Sequence, residues 1–278
     1  MSEDLKHIYS KYLIREEETD GHSPMKFLCS DNMIYYCKYR VTPKKEETDF
    51  LVYEIVCHNL LKHLNIPTPN IALVELTKDS FDPGNLRRNK LYAKPGVICF
   101  GSQHIDSYLV NDALLIDSRT AFNRFANPAD LIKIAIFDLW VNNTDRGKKG
   151  NFNLLVSTEA HKSVYFAFDN AFTFGGEMGL GIFNSTFGIS LADKLMNTEY
   201  FRSIIKFIPK SERFKIAQNM LSLCHDENVR DTITTTSALI PGAWNTLPGL
   251  YPRIIEFLSS AQRLQKIEQL VYSSLSTF

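Results

Sequence analysis

The stretch from Asp138 to Phe174, DLWVNNTDRGKKGNFNLLVSTEAHKSVYFAFDNAFTF, constrains the fold more than any other part of the chain. A helical apolar pattern ends at Trp140 and gives way to a polar loop with an acid, Asp145, and two asparagines, Asn151 and Asn153. Then come Leu154-Leu155-Val156, a short turn, a second apolar run and a second acid, Asp169. That order predicts a helix, a polar loop and a strand hairpin with an acidic residue at each open end. Phosphoryl transfer to a hydroxyl needs such an arrangement. One carboxylate orients the attacking hydroxyl, while an amide oxygen and a second carboxylate hold Mg²⁺ against phosphates.

The rest of the chain allows this chemistry and excludes several others. With 278 residues and 44% hydrophobic composition, the chain can bury a sizeable core in one large or two small domains. Lysine and arginine balance aspartate and glutamate at 31 each, which argues against direct nucleic-acid binding. The charged N-terminal MSEDLKHIYSKYL does not read as a signal peptide, and no apolar run reaches the length of a membrane span. The five cysteines are dispersed in apolar segments without metal-ligand spacing, so buried thiols of a cytoplasmic protein are expected.

In chain order, Met25–Cys29 and Met33–Tyr39 read as a hairpin, preceded by the turn Thr19-Asp20-Gly21-His22-Ser23-Pro24. Gly21 could let peptide N–H groups approach a phosphate, and the same turn also reads as a plain hairpin connection. Lys38 lies in an aromatic and aliphatic strand, where it is either an edge position with a snorkelling stem or a functional ammonium. A helix follows to Leu64, with Thr48 as N-cap and Asn65-Ile66-Pro67 as its stop. Glu54 lies at the edge of its apolar stripe, either exposed near His58 or paired with Lys38.

Strands are expected at Ile71–Leu76 and Lys94–Phe100, and composition then shifts toward helices. This places an N-terminal lobe at residues 1–100 and a C-terminal lobe at 101–278. Asn127-Pro128-Ala129-Asp130 predicts a helix start, and that helix delivers Asn142 and Asn143 to the polar loop. The glycines from Gly175 to Gly181 do not have the spacing of a nucleotide fingerprint. Helical patterns cover Phe201–Phe207, Ser211–Cys224 and Tyr251–Leu275, while Thr234–Ser237 reads as a loop.

Lys38, Glu54, Asp145, Asn153 and Asp169, in that order, resemble the HipA-like branch of the protein-kinase-like fold. The Asp145-Arg146 order resembles the catalytic loop of phosphoinositide kinases. The resemblance also runs through Tyr36-Cys37-Lys38, Ile66-Pro67-Thr68-Pro69, Phe100-Gly101-Ser102 and Phe168-Asp169. It implies an α+β, two-lobed fold: a small β-rich N-lobe with one long helix, and a larger, mostly helical C-lobe.

The resemblance further implies an ATP- and Mg²⁺-dependent kinase acting on Ser/Thr hydroxyls of a protein. Lys38 would hold the α/β phosphates with Glu54 as its partner, and Asp145 would be the base or the acid that orients the hydroxyl. Asn153 and Asp169 would be Mg²⁺ ligands, with Asn151 a rival because Gly147-Lys148-Lys149-Gly150 lengthens the loop. Arg146 would support either the loop or the transferred phosphate. Gly21, His22 and Ser23 would cover the phosphates, and Cys99, Phe100, Gly101 and Ser102 would form the hinge beside adenine. Any antitoxin or repressor partner would be a separate chain. Two other readings fit the same residues: a small-molecule kinase on this fold, and a non-catalytic nucleotide- or partner-binding pseudokinase module.

Overall fold

The computed structural model describes residues 5–19, 23–44, 47–111, 114–148, 152–175 and 189–277. The chain falls into two compact units. One comprises Met1–Ile55, Pro69–Ile105 and Thr236–Pro248; the other comprises Val56–Thr68, Asp106–Thr235 and Gly249–Phe278.

In the first unit five strands close into a barrel: β1 (Lys6–Glu16), β2 (Met25–Cys29), β3 (Ile34–Lys38), β4 (Ile71–Glu75) and β5 (Ile98–Gln103). Their order is β1-β2-β3-β5-β4, and β4 closes the barrel by pairing parallel to β1. The β2–β3 hairpin turns at Asn32, which takes a positive φ of 64°. Alternation explains the interior: Met25, Phe27 and Cys29 on β2, and Tyr35 and Cys37 on β3, are buried at every second position. Helix α1 (Glu47–His63) links β3 to β4. It begins one residue before the expected cap, so Thr48 is buried inside the first turn and is not the N-cap.

The second unit holds a three-stranded antiparallel sheet, β6 (Ser107–Leu109), β7 (Leu154–Glu159) and β8 (Lys162–Ala167). Around it run α2 (Arg119–Phe122), α3 (Asp130–Trp140), α4 (Glu199–Ile205) and α5 (Lys210–Cys224). After these come α6 (Asn228–Ser237), α7 (Leu250–Ser259) and α8 (Ala261–Ser276). Every residue of α3 except Lys133 is buried, so this helix is the unit's core, and its C-terminal end leads into the polar loop. At its start the Asn127 side chain reaches another side chain: its amide donates to Asp130 Oδ1 at 2.7 Å.

The chain is thus mixed α and β, β-rich first and helical after, as expected. Several boundaries differ, and the strand expected at Lys94–Phe100 runs over Ile98–Gln103. Thr234–Ser237 completes α6, where hydroxyls bond back to carbonyls one turn earlier, as Thr234 does to Arg230. The single helical pattern at Tyr251–Leu275 is two helices, because Ser260 leaves helical backbone and caps α8 by accepting from the Arg263 N–H. The five cysteines are buried free thiols.

Candidate active site

Lys38 ends β3 opposite Phe100 of β5 and is only 7% exposed. Its ammonium donates to Glu54 Oε1 of α1 at 2.6 Å, with Glu54 3% exposed. The expected pairing is therefore present. A buried ion pair stabilises little in net terms, because desolvation of both charges offsets their attraction. Stability alone gives no reason for this pair.

In the second unit, the chain leaves α3 through Asn142, which takes a positive φ of 52°. Asn143 is buried, and its Oδ1 accepts from the N–H groups of Asp145 and Arg146 at 3.0 and 3.1 Å. This Asx turn sets the backbone that presents Asp145. The Thr144 N–H adds a bond to the Phe172 carbonyl at 3.0 Å, tying the loop to the residues after Asp169.

Arg146 is completely buried. Its Nε donates to Asp138 Oδ1 of α3 at 2.9 Å. The remaining donors reach the carbonyls of Phe152, Asn153 and Phe168, and Asn170 Oδ1 at 2.8 Å. A guanidinium has five N–H donors, and all five are directed at protein acceptors. Of its two expected roles, this geometry is that of loop support. Burial pushes the Asp138 carboxyl up to about 6, against the opposing pull of Arg146 and Lys194.

Asn153 immediately precedes β7, and Asp169 follows β8 by two residues, so both lie at the open end of one hairpin, where Leu154 faces Ala167. Asn153 is buried, and its Nδ2 donates to Asp145 Oδ2 at 2.8 Å. Both Asn153 and Asp169 have left-handed backbone, with φ of 45° and 55°. Such conformations cost energy in non-glycine residues and persist only where surrounding contacts impose them. At Asn153 the imposing contacts are the Arg146 bonds to its own carbonyl and to that of Phe152.

Of the other expected residues, Ser23 is buried with φ of 44°, and Asn89 Nδ2 donates to its carbonyl at 2.7 Å. Gly21, His22 and Asn151 lie outside the described residues. The residues expected as the hinge are Cys99, Phe100, Gly101 and Ser102. These residues lie within β5, where Phe100, Gly101 and Ser102 pair to both β3 and β4 and Cys99 pairs to β4. Gly101 has a packing reason as well: a Cβ there would meet Val74 Cγ2 at 2.6 Å.

Three supporting cations escaped sequence reading as such or altogether. Lys194 is buried and donates to Asn142 Oδ1 at 3.2 Å and to the Asn143 carbonyl. Burial lowers it to about 8, despite the field of Asp138. Arg263 of α8 donates to the carbonyls of Leu139 and Trp140, completing the C-terminal end of α3. Neither has a local sequence signal. Lys148 stands 3.7 Å from Asp145 Oδ1. Asn143, two residues before Asp145, did carry an Asx-turn signal.

Against known proteins, the family model for HipA-like kinases matches residues 13–218, well over half of the chain. Sequence comparison with curated proteins finds no match. Among solved structures, the Helicobacter pylori proinflammatory kinase CtkA superposes with a TM-score of 0.53 at 10% identity, covering 99% of each chain. The Golgi casein kinase with Mn/ADP bound gives a TM-score of 0.46 at 14% identity, covering 96% of this chain and 73% of that one. The CtkA likeness shows a kinase-like fold. From the match over residues 13–218, the chain belongs to the HipA-like kinase family.

Proposed function

We propose that this kinase transfers the γ-phosphoryl group of ATP, with Mg²⁺, to a Ser or Thr hydroxyl of a protein. The observation that carries the reading is Asp145 held by Asn153 at 2.8 Å, with Asp169 at the same hairpin end. Asp145 orients the acceptor hydroxyl and takes its proton as the oxygen attacks phosphorus. Lys38, held by Glu54, binds the α/β phosphates.

Asn153 and Asp169 suit Mg²⁺, since an amide and a carboxylate oxygen are the hard donors it prefers. Among the described residues no three histidines, cysteines or acids come together as a metal-binding group. A site of this kind takes its other ligands from phosphates and water. When bound, Mg²⁺ neutralises charge that develops on the phosphates. A protein acceptor is what membership of this family favours. Among the described residues no helix is long and apolar enough to cross a membrane.

The test is the melting temperature with Mg²⁺ alone, ATP alone and both, for the parent and for Asp169→Asn. Ligand binding to the folded state stabilises it by about 2.7 kcal/mol at a hundredfold excess over Kd. A shift that requires both ligands, and that Asp169→Asn abolishes, is expected. An unchanged melting temperature under every condition would sink the proposal.

A further inference from the structure

The first unit includes one segment from far along the chain. Thr236–Pro248 belongs to it, although the residues on either side in sequence belong to the second unit. The segment is a strap of turns. The Leu239 N–H donates to the Thr236 carbonyl at 3.0 Å, a 3₁₀ turn covers Gly242–Trp244, and Asn245 closes it with φ of 46°. Of residues 238–248 only Trp244 is buried, at 2% exposure, while Gly242, Ala243 and Asn245 around it are exposed. A large ring buried from a turn that is otherwise exposed or half-buried anchors that turn.

The strap bonds α1, which carries Glu54, and β5, which pairs with the strand that carries Lys38. The Trp244 indole Nε1 donates to the Ile98 carbonyl of β5 at 2.9 Å. Two residues further along β5, about 7 Å, Phe100 stands opposite Lys38. Three residues after Trp244, the Leu247 N–H donates to Asp49 Oδ1 at 3.0 Å. Asp49 is 1% exposed in the first turn of α1, about 7.5 Å along the helix from Glu54. Every residue from Glu47 to Cys57 except Phe50 is buried. The position of α1 is therefore set by what packs around it on all sides, not by one apolar stripe. The Lys38–Glu54 bond does not set it, because desolvation of two buried charges offsets their attraction.

We propose that Trp244 is a positioning residue for phosphate binding. Its ring seats the strap, and the strap fixes the start of α1 against β5 in the relation that joins Glu54 to Lys38. The ammonium is thereby held where it meets the α/β phosphates. The inference rests on the reading of Lys38 as the phosphate-binding lysine. Trp244 acts through Glu54 and Lys38 rather than on the nucleotide.

The test is titration calorimetry of Mg-ADP and of adenosine, a probe without phosphates. The proteins are the parent, Trp244→Ala, Trp244→Phe, Lys38→Met, and Trp244→Ala combined with Lys38→Met. The quantity read is the preference for Mg-ADP over adenosine, which a destabilised but folded protein keeps. Trp244→Ala should lower that preference about tenfold. Trp244→Phe keeps a ring in place and loses only the bond to Ile98, so it should fold as the parent does and lower the preference about threefold. In the Lys38→Met background, Trp244→Ala should take nothing further from it. A preference equal to the parent's in the folded Trp244 variants overturns the assignment, as does an equal loss with and without Lys38. If the parent fails to bind Mg-ADP at all, the kinase reading itself falls and this inference with it.

Discussion

Each unit of the molecule buries an ion pair, and the two pairs differ in what surrounds them. Lys38 and Glu54 are joined at 2.6 Å beside an apolar barrel, in a unit whose interior is lined by Met25, Phe27 and three cysteines. Arg146 and Asp138 are joined at 2.9 Å inside a web of carbonyls and amides from α3, the polar loop and the hairpin. The first pair joins one strand residue to one helix residue through the bond from Lys38 to Glu54. The second joins more, because Arg146 is the shared donor for groups on both sides of Asn153. In the proposed reading, the first pair serves a chemical task, while the hydrogen bonds around the second give it an architectural one.

Replacing Arg146 by Met should have the largest effect, a loss of about 3–5 kcal/mol in urea unfolding, since it strands Asp138 in the core. Replacing Asp138 by Leu at the same time should not restore stability, because the carbonyls of Phe152, Asn153 and Phe168 still lack donors. Full recovery in that double variant would erase the contrast between the two pairs.

Lys38→Met should cost about 3 kcal/mol for the same reason, but Lys38→Met with Glu54→Leu should regain most of it. Neither variant should show the ATP-dependent rise in melting temperature. A double variant that stays as unstable as the single one would place Lys38 in the architectural class. Gly147→Ala should cost about 1–3 kcal/mol from its positive φ, with further loss from overlap with Lys194, and should weaken turnover along with stability.

A pH slope gives a further test. The Asp138 carboxyl moves from 3.8 to about 6 on folding, so the folded chain binds that proton more tightly. Its contribution to stability is therefore full below about pH 4 and is lost as pH rises through about 6. Lys194, lowered from 10.5 to about 8, acts in a separate window: its contribution is present at high pH and lost as pH falls through about 8. Unfolding midpoints measured between pH 4 and 6 should slope downward with pH in the parent, and Asp138→Asn should flatten them.

Much of the fold is readable from residue order because the signals are local. Alternation and a turn at Asp31-Asn32 mark the β2–β3 hairpin, and apolar runs with acids beyond them mark β7 and β8. Lys38 with Glu54 is readable as a strand lysine followed by a helix glutamate, and the two do meet. The readings that failed depended on contacts distant in sequence or on a break that leaves the apolar pattern intact. The strand read at Lys94–Phe100 in fact runs over Ile98–Gln103, its register set by β3 and β4 across the barrel. The break at Ser260 interrupts no apolar spacing, so the pattern runs across it as one helix.

Residue order alone indicates most kinds of element and the acids and amides at the hairpin's open end, since period, turn chemistry and spacing act over a few residues. Which cations are spent on holding the loop is a matter of three-dimensional packing. Arg146 and Lys148 flank Gly147 with similar charge, and nothing local separates them. Burial does: Arg146 is completely buried, with its donors consumed by acceptors on α3 and at both strand ends of the hairpin, whereas the Lys148 side chain is 42% exposed.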